Sequence, residues 1–381
     1  MGSIVPQRVV LLSASVGAGH NQAAGAIKEG LRLARPELEV DFRDTLQFIS
    51  WSFRTYYQGG YTLLVTRLPW LYGVGYRLTG GPTSPRRTLW ERLRLAQERL
   101  ALRRLRAWLL EDRRPTLVIC THFLPLSALE PMLALGQLPH ARVWVTMTDY
   151  EAHRWWYAPS VERYYVATEP IRDAVVAWGI DPAAVTVSGI PVHPKWTAPL
   201  DRADIYRRWN LPRDVPIVIL SGGTFFTVGP IARMAQAVLA RTPAHVVVLA
   251  GNNKPLLAEL AALPEAAGGR LSPVPFTDKV HELAEVASLI VTKPGGLMTT
   301  ECQAKGVAMV LTKPVPGQEQ ANADMLVREG AAVLAPSPDE IVRQVEALLA
   351  DHPRLQSLRD NARRLHRPAT KTIVDDVMAT M

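Results

Sequence analysis

Cysteine is scarce in this chain of 381 residues: Cys120 and Cys302 are its only two thiols, far apart in sequence. That spacing excludes a disulfide-built scaffold and offers no zinc-ligand set, so both read as buried thiols of a reduced compartment. Long apolar runs are missing too. No 18 consecutive residues are uninterruptedly apolar, which predicts no transmembrane helix. The opening MGSIVPQRVVLLSASVGAGH has little basic character before its apolar run and no convincing cleavage site. It reads as a first buried strand and not as a signal peptide. No D-x-D triplet and no His/Cys cluster occurs, so the chemistry is expected to need no metal.

Lysine is absent between Trp51 and Arg114, and acids are few: 13 Arg stand against 4 acids, a net +9. The whole chain carries +8, so everything outside this region is close to neutral. An anionic partner is therefore expected here. From Trp51 to Arg77 there are eight aromatics, three Arg and no acid. Aromatic rings beside arginines suit a lipid headgroup layer, and Trp51, Tyr56, Trp70, Tyr72, Arg86 and Arg87 are the expected contacts. The stretch 86–114 reads as a basic helix able to bind anionic lipid, at about 1 kcal/mol per well-placed charge. Core packing for the aromatics and a solvated face for the arginines are the alternatives. No nucleic-acid motif occurs, and no nucleic-acid partner is expected.

What is present in quantity is alternation. β-branched apolar runs alternate with helix-period segments, the pattern of a doubly wound α/β protein. Strands are expected at 8–15, 38–42, 116–121, 142–148, 163–167 and 185–188, then again at 217–221, 245–250, 271–275, 289–292, 307–312 and 331–334. Between the two series, 189–216 is rich in proline and without period, and reads as a linker. The expected division is 1–195, 196–366 and a C-terminal helix in 367–381 that packs back on the first part.

Three motifs carry chemistry. Ser15-Val16-Gly17-Ala18-Gly19-His20-Asn21 follows the first strand and opens a helix. Its glycines permit a tight turn, but Gln22 stands where the dinucleotide G-x-G-x-x-G would need glycine. His20 at the lip of a ligand site could take a proton from an attacking hydroxyl near neutral pH; a locally bonded helix-start histidine is the alternative. Leu220-Ser221-Gly222-Gly223-Thr224 follows the first strand of the second series and could hold a diphosphate through backbone N–H groups, or be a plain connection. The most specific motif is Thr292-Lys293-Pro294-Gly295-Gly296-Leu297-Met298-Thr299-Thr300-Glu301, followed by Pro316-Gly317-Gln318-Glu319-Gln320-Ala321-Asn322. A phosphate fits the helix start at Gly296, Leu297, Met298 and Thr299, and Glu301 lies one turn further, where a carboxylate can accept two ribose hydroxyls. Gln318 and Glu319 open the next helix and offer polar reach for sugar hydroxyls.

On these motifs, with Thr148-Asp149, His153, Trp156 and Gly189-Ile190-Pro191-Val192, the chain resembles glycosyltransferase family 28. Within it the chain is most similar to the monogalactosyldiacylglycerol synthases and processive diacylglycerol glucosyltransferases. The resemblance implies the GT-B fold, two Rossmann-like domains whose parallel sheets face a cleft. It implies inverting transfer of a hexose from a UDP-sugar to diacylglycerol or glycosyldiacylglycerol, without cofactor, by a peripheral protein on the cytoplasmic face of the cell membrane. Glu301 would then bind the ribose, and Gly222, Gly223 and Gly296 to Thr299 the diphosphate. The backbone around Pro275, Phe276 and Thr277 would read the uracil, and Gln318 and Glu319 would hold the sugar. His20 would be the leading base with Asp149, and Gly19 and His153 would line the acceptor side. Transfer of N-acetylglucosamine to a polyprenyl-linked muramyl precursor, and a silent nucleotide-sugar sensor on membranes, are the competing readings.

Overall fold

The computed structural model describes residues 8–17, 19–80, 87–111, 116–222 and 230–381. The chain divides into two compact units: residues 1–194 with 316–318 and 367–381, and residues 195–315 with 319–366.

In the first unit the strands are β1 (Arg8–Ser13), β2 (Glu39–Asp44), β3 (Thr116–Cys120), β4 (Ala141–Thr146), β5 (Arg163–Val166) and β6 (Val185–Val187). They form a parallel sheet in the order β2-β1-β3-β4-β5-β6. Helices cover parallel strands on both faces, so β1 and β3 are buried along their whole length and read as continuous apolar runs. Leu11 pairs with Ile119, and both pack with Ile27 and Leu31 of the helix Gly19–Ala34. Ile373, Val374 and Val377 of the last helix, Ala369–Ala379, complete the same core.

The second unit repeats the plan with β7 (Ile217–Ser221), β8 (His245–Gly251), β9 (Leu271–Pro275), β10 (Leu289–Thr292), β11 (Ala308–Leu311) and β12 (Ala332–Leu334). The order is β12-β11-β10-β7-β8-β9, again parallel throughout. Val218 and Leu220 of β7, Val246 and Val248 of β8 and Val291 of β10 form its core with Val345 and Leu348 of the helix Pro338–Ala350.

Each sheet has one place where the strand order reverses: between β1 and β3 in the first unit, between β7 and β10 in the second. Loops leaving the carboxyl ends of these neighbouring strands diverge and open a crevice, where doubly wound sheets bind ligands.

One expectation needs correction. The stretch 86–114 holds two helices, Leu89–Ala101 and Arg103–Glu111, and not one. The first is fixed by a capping box of Thr88 and Glu91, and the chain leaves helical geometry at Leu102. Leu102 and Leu105 are fully buried, and the break turns them toward the core. The division between the two units, at Pro194 and Lys195, falls inside the proline-rich stretch 189–216, which also holds a short helix, Arg202–Arg208, capped by Asp201.

Candidate active site

At the first reversal, β1 runs into a turn through Gly17, whose φ of +82° favours glycine. Ser15 anchors this loop: its backbone N–H and hydroxyl both donate to Asp44, while Asn21 donates to the Ser15 hydroxyl at 2.9 Å. His20 follows as the second residue of the helix Gly19–Ala34. Its Nδ1 lies 3.1 Å from the carbonyl of Thr121, just past β3, and 2.7 Å from the hydroxyl of Thr148, just past β4. A carbonyl only accepts, so Nδ1 carries the proton and Nε2 keeps its lone pair. Thr121 returns a hydrogen bond from its hydroxyl to the His20 carbonyl at 3.0 Å. Burial pushes the His20 pKa down to about 4, with the Thr121 bond opposing, so the ring is neutral at pH 7. His122 stands edge-on at 4.5 Å, and Trp156 lies at 6.5 Å. Sequence spacing gave no sign of Thr121 or His122, because parallel pairing of β1 with β3 brings them to His20 across about a hundred residues of chain.

Asp149 is buried next to Thr148 and acts electrostatically on the Tyr76 hydroxyl. His153 departs from its expected part. Its Nδ1 accepts from the Trp155 N–H at 3.3 Å, and its Nε2 lies 3.1 Å from the Tyr76 carbonyl, to which it therefore donates. Both nitrogens are spent holding the turn at 154–156 to the helix Pro69–Thr79, and the ring is buried. It is a structural tie whose two nitrogens are committed.

In the second unit, the expected donor residues follow the carboxyl ends of parallel strands: Gly222 after β7, Phe276 and Thr277 after β9 and Gly296 after β10; Gln318, after β11, belongs to the 316–318 segment of the first unit. Gly223 lies outside the described residues. Gly295 caps the helix Gly296–Lys305 without a side chain. The N–H of Thr299 closes the first helical turn on the Gly295 carbonyl, and its hydroxyl donates to the same oxygen at 2.9 Å. The amides of this helix start without an intrahelical partner are thus those of Gly296, Leu297 and Met298, and not that of Thr299. At the other end Gly306 takes φ +61°, and a side chain there would collide with Arg363.

Glu301 is buried, and desolvation pushes its pKa up to about 8, opposed by the charge of Lys195 and a hydrogen bond from Trp196. Lys195 also donates to the Asp278 carbonyl. Neither Lys195 nor Trp196 was legible as a partner of Glu301. His281 is the second residue of the helix Val280–Val286, buried and 6.1 Å from Trp196. Glu319 accepts from Lys293 at 2.8 Å and from the Val315 N–H at 3.1 Å, so its carboxylate could reach a sugar only by sharing. Phe276 gives its N–H to the Gly251 carbonyl and leaves its ring 71% exposed. The Thr277 hydroxyl accepts from the Lys279 N–H.

The aromatic region forms the helices Trp51–Arg67 and Pro69–Thr79, followed by Leu89–Ala101. Trp51, Tyr56 and Trp70 are exposed as expected. Tyr72 is not: the i,i+4 spacing puts it with Tyr76 on the buried face, their rings 5.9 Å apart. Arg87 is also committed, to Glu130 at 3.4 Å and to the face of Tyr157. Arg86 lies outside the described residues. Leu78, Leu89, Trp90 and Leu93 are exposed apolar residues that the sequence reading passed over. Among the described residues no helix is long and apolar enough to cross a membrane.

A family model described as Monogalactosyldiacylglycerol (MGDG) synthase matches residues 20–192. The processive diacylglycerol beta-glucosyltransferase of Bacillus pumilus (strain SAFR-032) is 32% identical over 233 residues, 61% of this chain and 61% of that protein. The Bacillus cereus (strain AH187) protein of the same name is 30% identical over 277 residues, 71% of this chain and 69% of that protein. The chain thus spans 61% of the length of the first relative. Among solved structures, MurG of Acinetobacter baumannii superposes with a TM-score of 0.57 at 16% identity, over 98% of this chain and 100% of that one. Anabaena HepE in complex with UDP gives 0.54 at 13% identity, over 98% and 99%. At such identities the likeness is one of fold, the GT-B architecture.

Proposed function

Because the chain belongs to the monogalactosyldiacylglycerol synthase family, with the processive diacylglycerol glucosyltransferases among its relatives, we propose that it transfers a hexose from a UDP-sugar to diacylglycerol at a membrane surface. The hexose is glucose or galactose. The anomeric carbon is inverted, and neither metal nor cofactor takes part.

The observation that carries this reading is the pair of strand-order reversals, each furnished for one half of such a reaction. His20 presents an unprotonated Nε2 at the first. The acceptor hydroxyl gives its proton to that nitrogen as its oxygen bonds the anomeric carbon. The bond from that carbon to the diphosphate breaks, and UDP leaves with the electron pair. The Thr121 carbonyl, on Nδ1, favours the imidazolium that forms. At the second reversal, the amides of Gly296, Leu297 and Met298 face the growing diphosphate charge. Glu301 accepts the ribose hydroxyls, and Gln318 and Glu319 orient the sugar.

The exposed Trp51, Trp70, Trp90 and Leu89 sit among arginines on helices of the first unit. Together they dock the protein peripherally on the inner face of the cell membrane, where anionic lipid meets the net +9 of this region. The test is incubation with diacylglycerol in anionic liposomes and each UDP-hexose in turn. Mass spectrometry and anomeric NMR of the lipid should show a β-linked glycosyldiacylglycerol, with EDTA leaving the yield unchanged. No glycolipid from either sugar would sink the reading. Product only with UDP-N-acetylglucosamine and a polyprenyl-linked acceptor would replace it.

A further inference from the structure

Next to the His20 site stands a carboxyl that the transfer reaction above leaves unused. Glu151 lies three residues beyond Thr148, whose hydroxyl touches His20, so at most about 10 Å of chain separates their Cα atoms. One of its oxygens accepts the hydroxyl of Tyr76. The other, Oε2, is shielded from solvent and has no hydrogen-bond partner among the described residues. Tyr76 is held from its own side, its carbonyl accepting from His153 and its ring lying 4.2 Å from the His153 ring. Burial and then the charges of Asp149 and Glu151 push the Tyr76 hydroxyl far above its usual range, so it stays a donor. It fixes one oxygen of Glu151 and leaves the other free.

A buried carboxylate oxygen without a donor is costly, and such groups are satisfied when a ligand supplies the missing hydrogen. We propose that Oε2 of Glu151 accepts a hydrogen bond from a hydroxyl of the acceptor and so positions it for His20. Two hydroxyls share this chemistry: the one that attacks, on diacylglycerol, and those of a sugar already attached, on glycosyldiacylglycerol. Neither Asp149 nor His153 can take this part in the same way: Asp149 has interactions of its own, and both nitrogens of His153 are committed.

The inference rests on the proposed lipid transfer, and the experiment separates the two. Glu151→Gln keeps an oxygen for Tyr76 and replaces Oε2 by an NH2 group that cannot accept. Initial rates would be measured on the full chain with diacylglycerol and with glycosyldiacylglycerol in mixed liposomes, alongside UDP affinity by calorimetry and the melting temperature. The expected result is an acceptor KM raised about 10- to 100-fold, as for loss of a hydrogen bond to a charged group. UDP affinity and melting temperature should stay at wild-type values. A rise for both acceptors places Oε2 on the attacking hydroxyl; a rise for glycosyldiacylglycerol alone places it on a sugar hydroxyl. An unchanged KM for both overturns the inference. So does a change only in melting temperature or UDP affinity, which would make Glu151 a brace for Tyr76. A wild-type protein that glycosylates neither lipid overturns the function itself, and the inference with it.

Discussion

The two units are built on one plan, a six-stranded parallel sheet with a single reversal of strand order, yet the reversals are furnished in opposite ways. At β1/β3 the group presented is a side chain, His20, held by Thr121 and Thr148 and walled by His122 and Trp156. At β7/β10 the groups presented are backbone amides at a bare helix start, with one buried acid in the same helix. Topology decides where a ligand goes; the few residues after each strand decide whether a proton or a charge is handled there.

The largest expected effect separates the two regions by function. His20→Ala should lower turnover about 10²- to 10⁴-fold, the usual contribution of a general base, and leave UDP affinity within twofold. Calorimetric titration of UDP beside steady-state rates reads both. A variant that keeps normal turnover would move the base elsewhere.

The second effect is one of pH, and its sign differs between the regions. Burial lowers His20 to about 4, so this site favours folding fully above pH 6.5 and loses that contribution as pH falls through 4. Burial raises Glu301 to about 8, so that site favours folding fully below pH 4.5 and loses the contribution as pH rises through 8. Glu301→Gln should therefore flatten the alkaline side of the melting-temperature profile and leave the acid side alone. The difference at pH 8 should be of the order of a few kcal/mol, at about 1.4 kcal/mol for each pKa unit. The same numbers place the acid limb of turnover near pH 4, since His20 is already a free base above it.

Glu301→Ala sharpens the contrast at a smaller scale. Losing a buried acceptor of two ribose hydroxyls should weaken UDP binding about 10- to 100-fold, with the acceptor KM unchanged. The smallest effect concerns the aromatic helices of the first unit, Trp51–Arg67, Pro69–Thr79 and Leu89–Ala101. Trp90→Ser should reduce vesicle partitioning by up to about tenfold while the melting temperature holds, because the ring is 78% exposed. Tyr72→Ala should do the reverse, costing about 3 kcal/mol of stability with little change in partitioning, because the ring is buried. Flotation assays and thermal melts distinguish them.

The sequence made the sheets legible because parallel strands are buried on both faces. β7 and β10 lie where their buried apolar runs end at polar residues. The helix start at Gly296 and the place of Glu301 followed from local chemistry alone. What escaped was whatever depends on contacts distant in sequence. Trp196 meets Glu301 from within a proline-rich stretch, and His153 looks like a free imidazole until the Tyr76 carbonyl is seen against it. The run 86–114 has helical composition throughout, and only the burial of Leu102 shows why it breaks. Exposure of Trp90 against burial of Tyr72 is a matter of helix rotation, which aromatic content does not encode.

The account turns on the division of labour between the two reversals, and a crystal soaked with UDP tests it most directly. The diphosphate should lie on the amides of Gly296, Leu297 and Met298, with both ribose hydroxyls on the carboxylate of Glu301. A nucleotide found instead beside His20 at the β1/β3 end, or bound with its ribose away from Glu301, would contradict it.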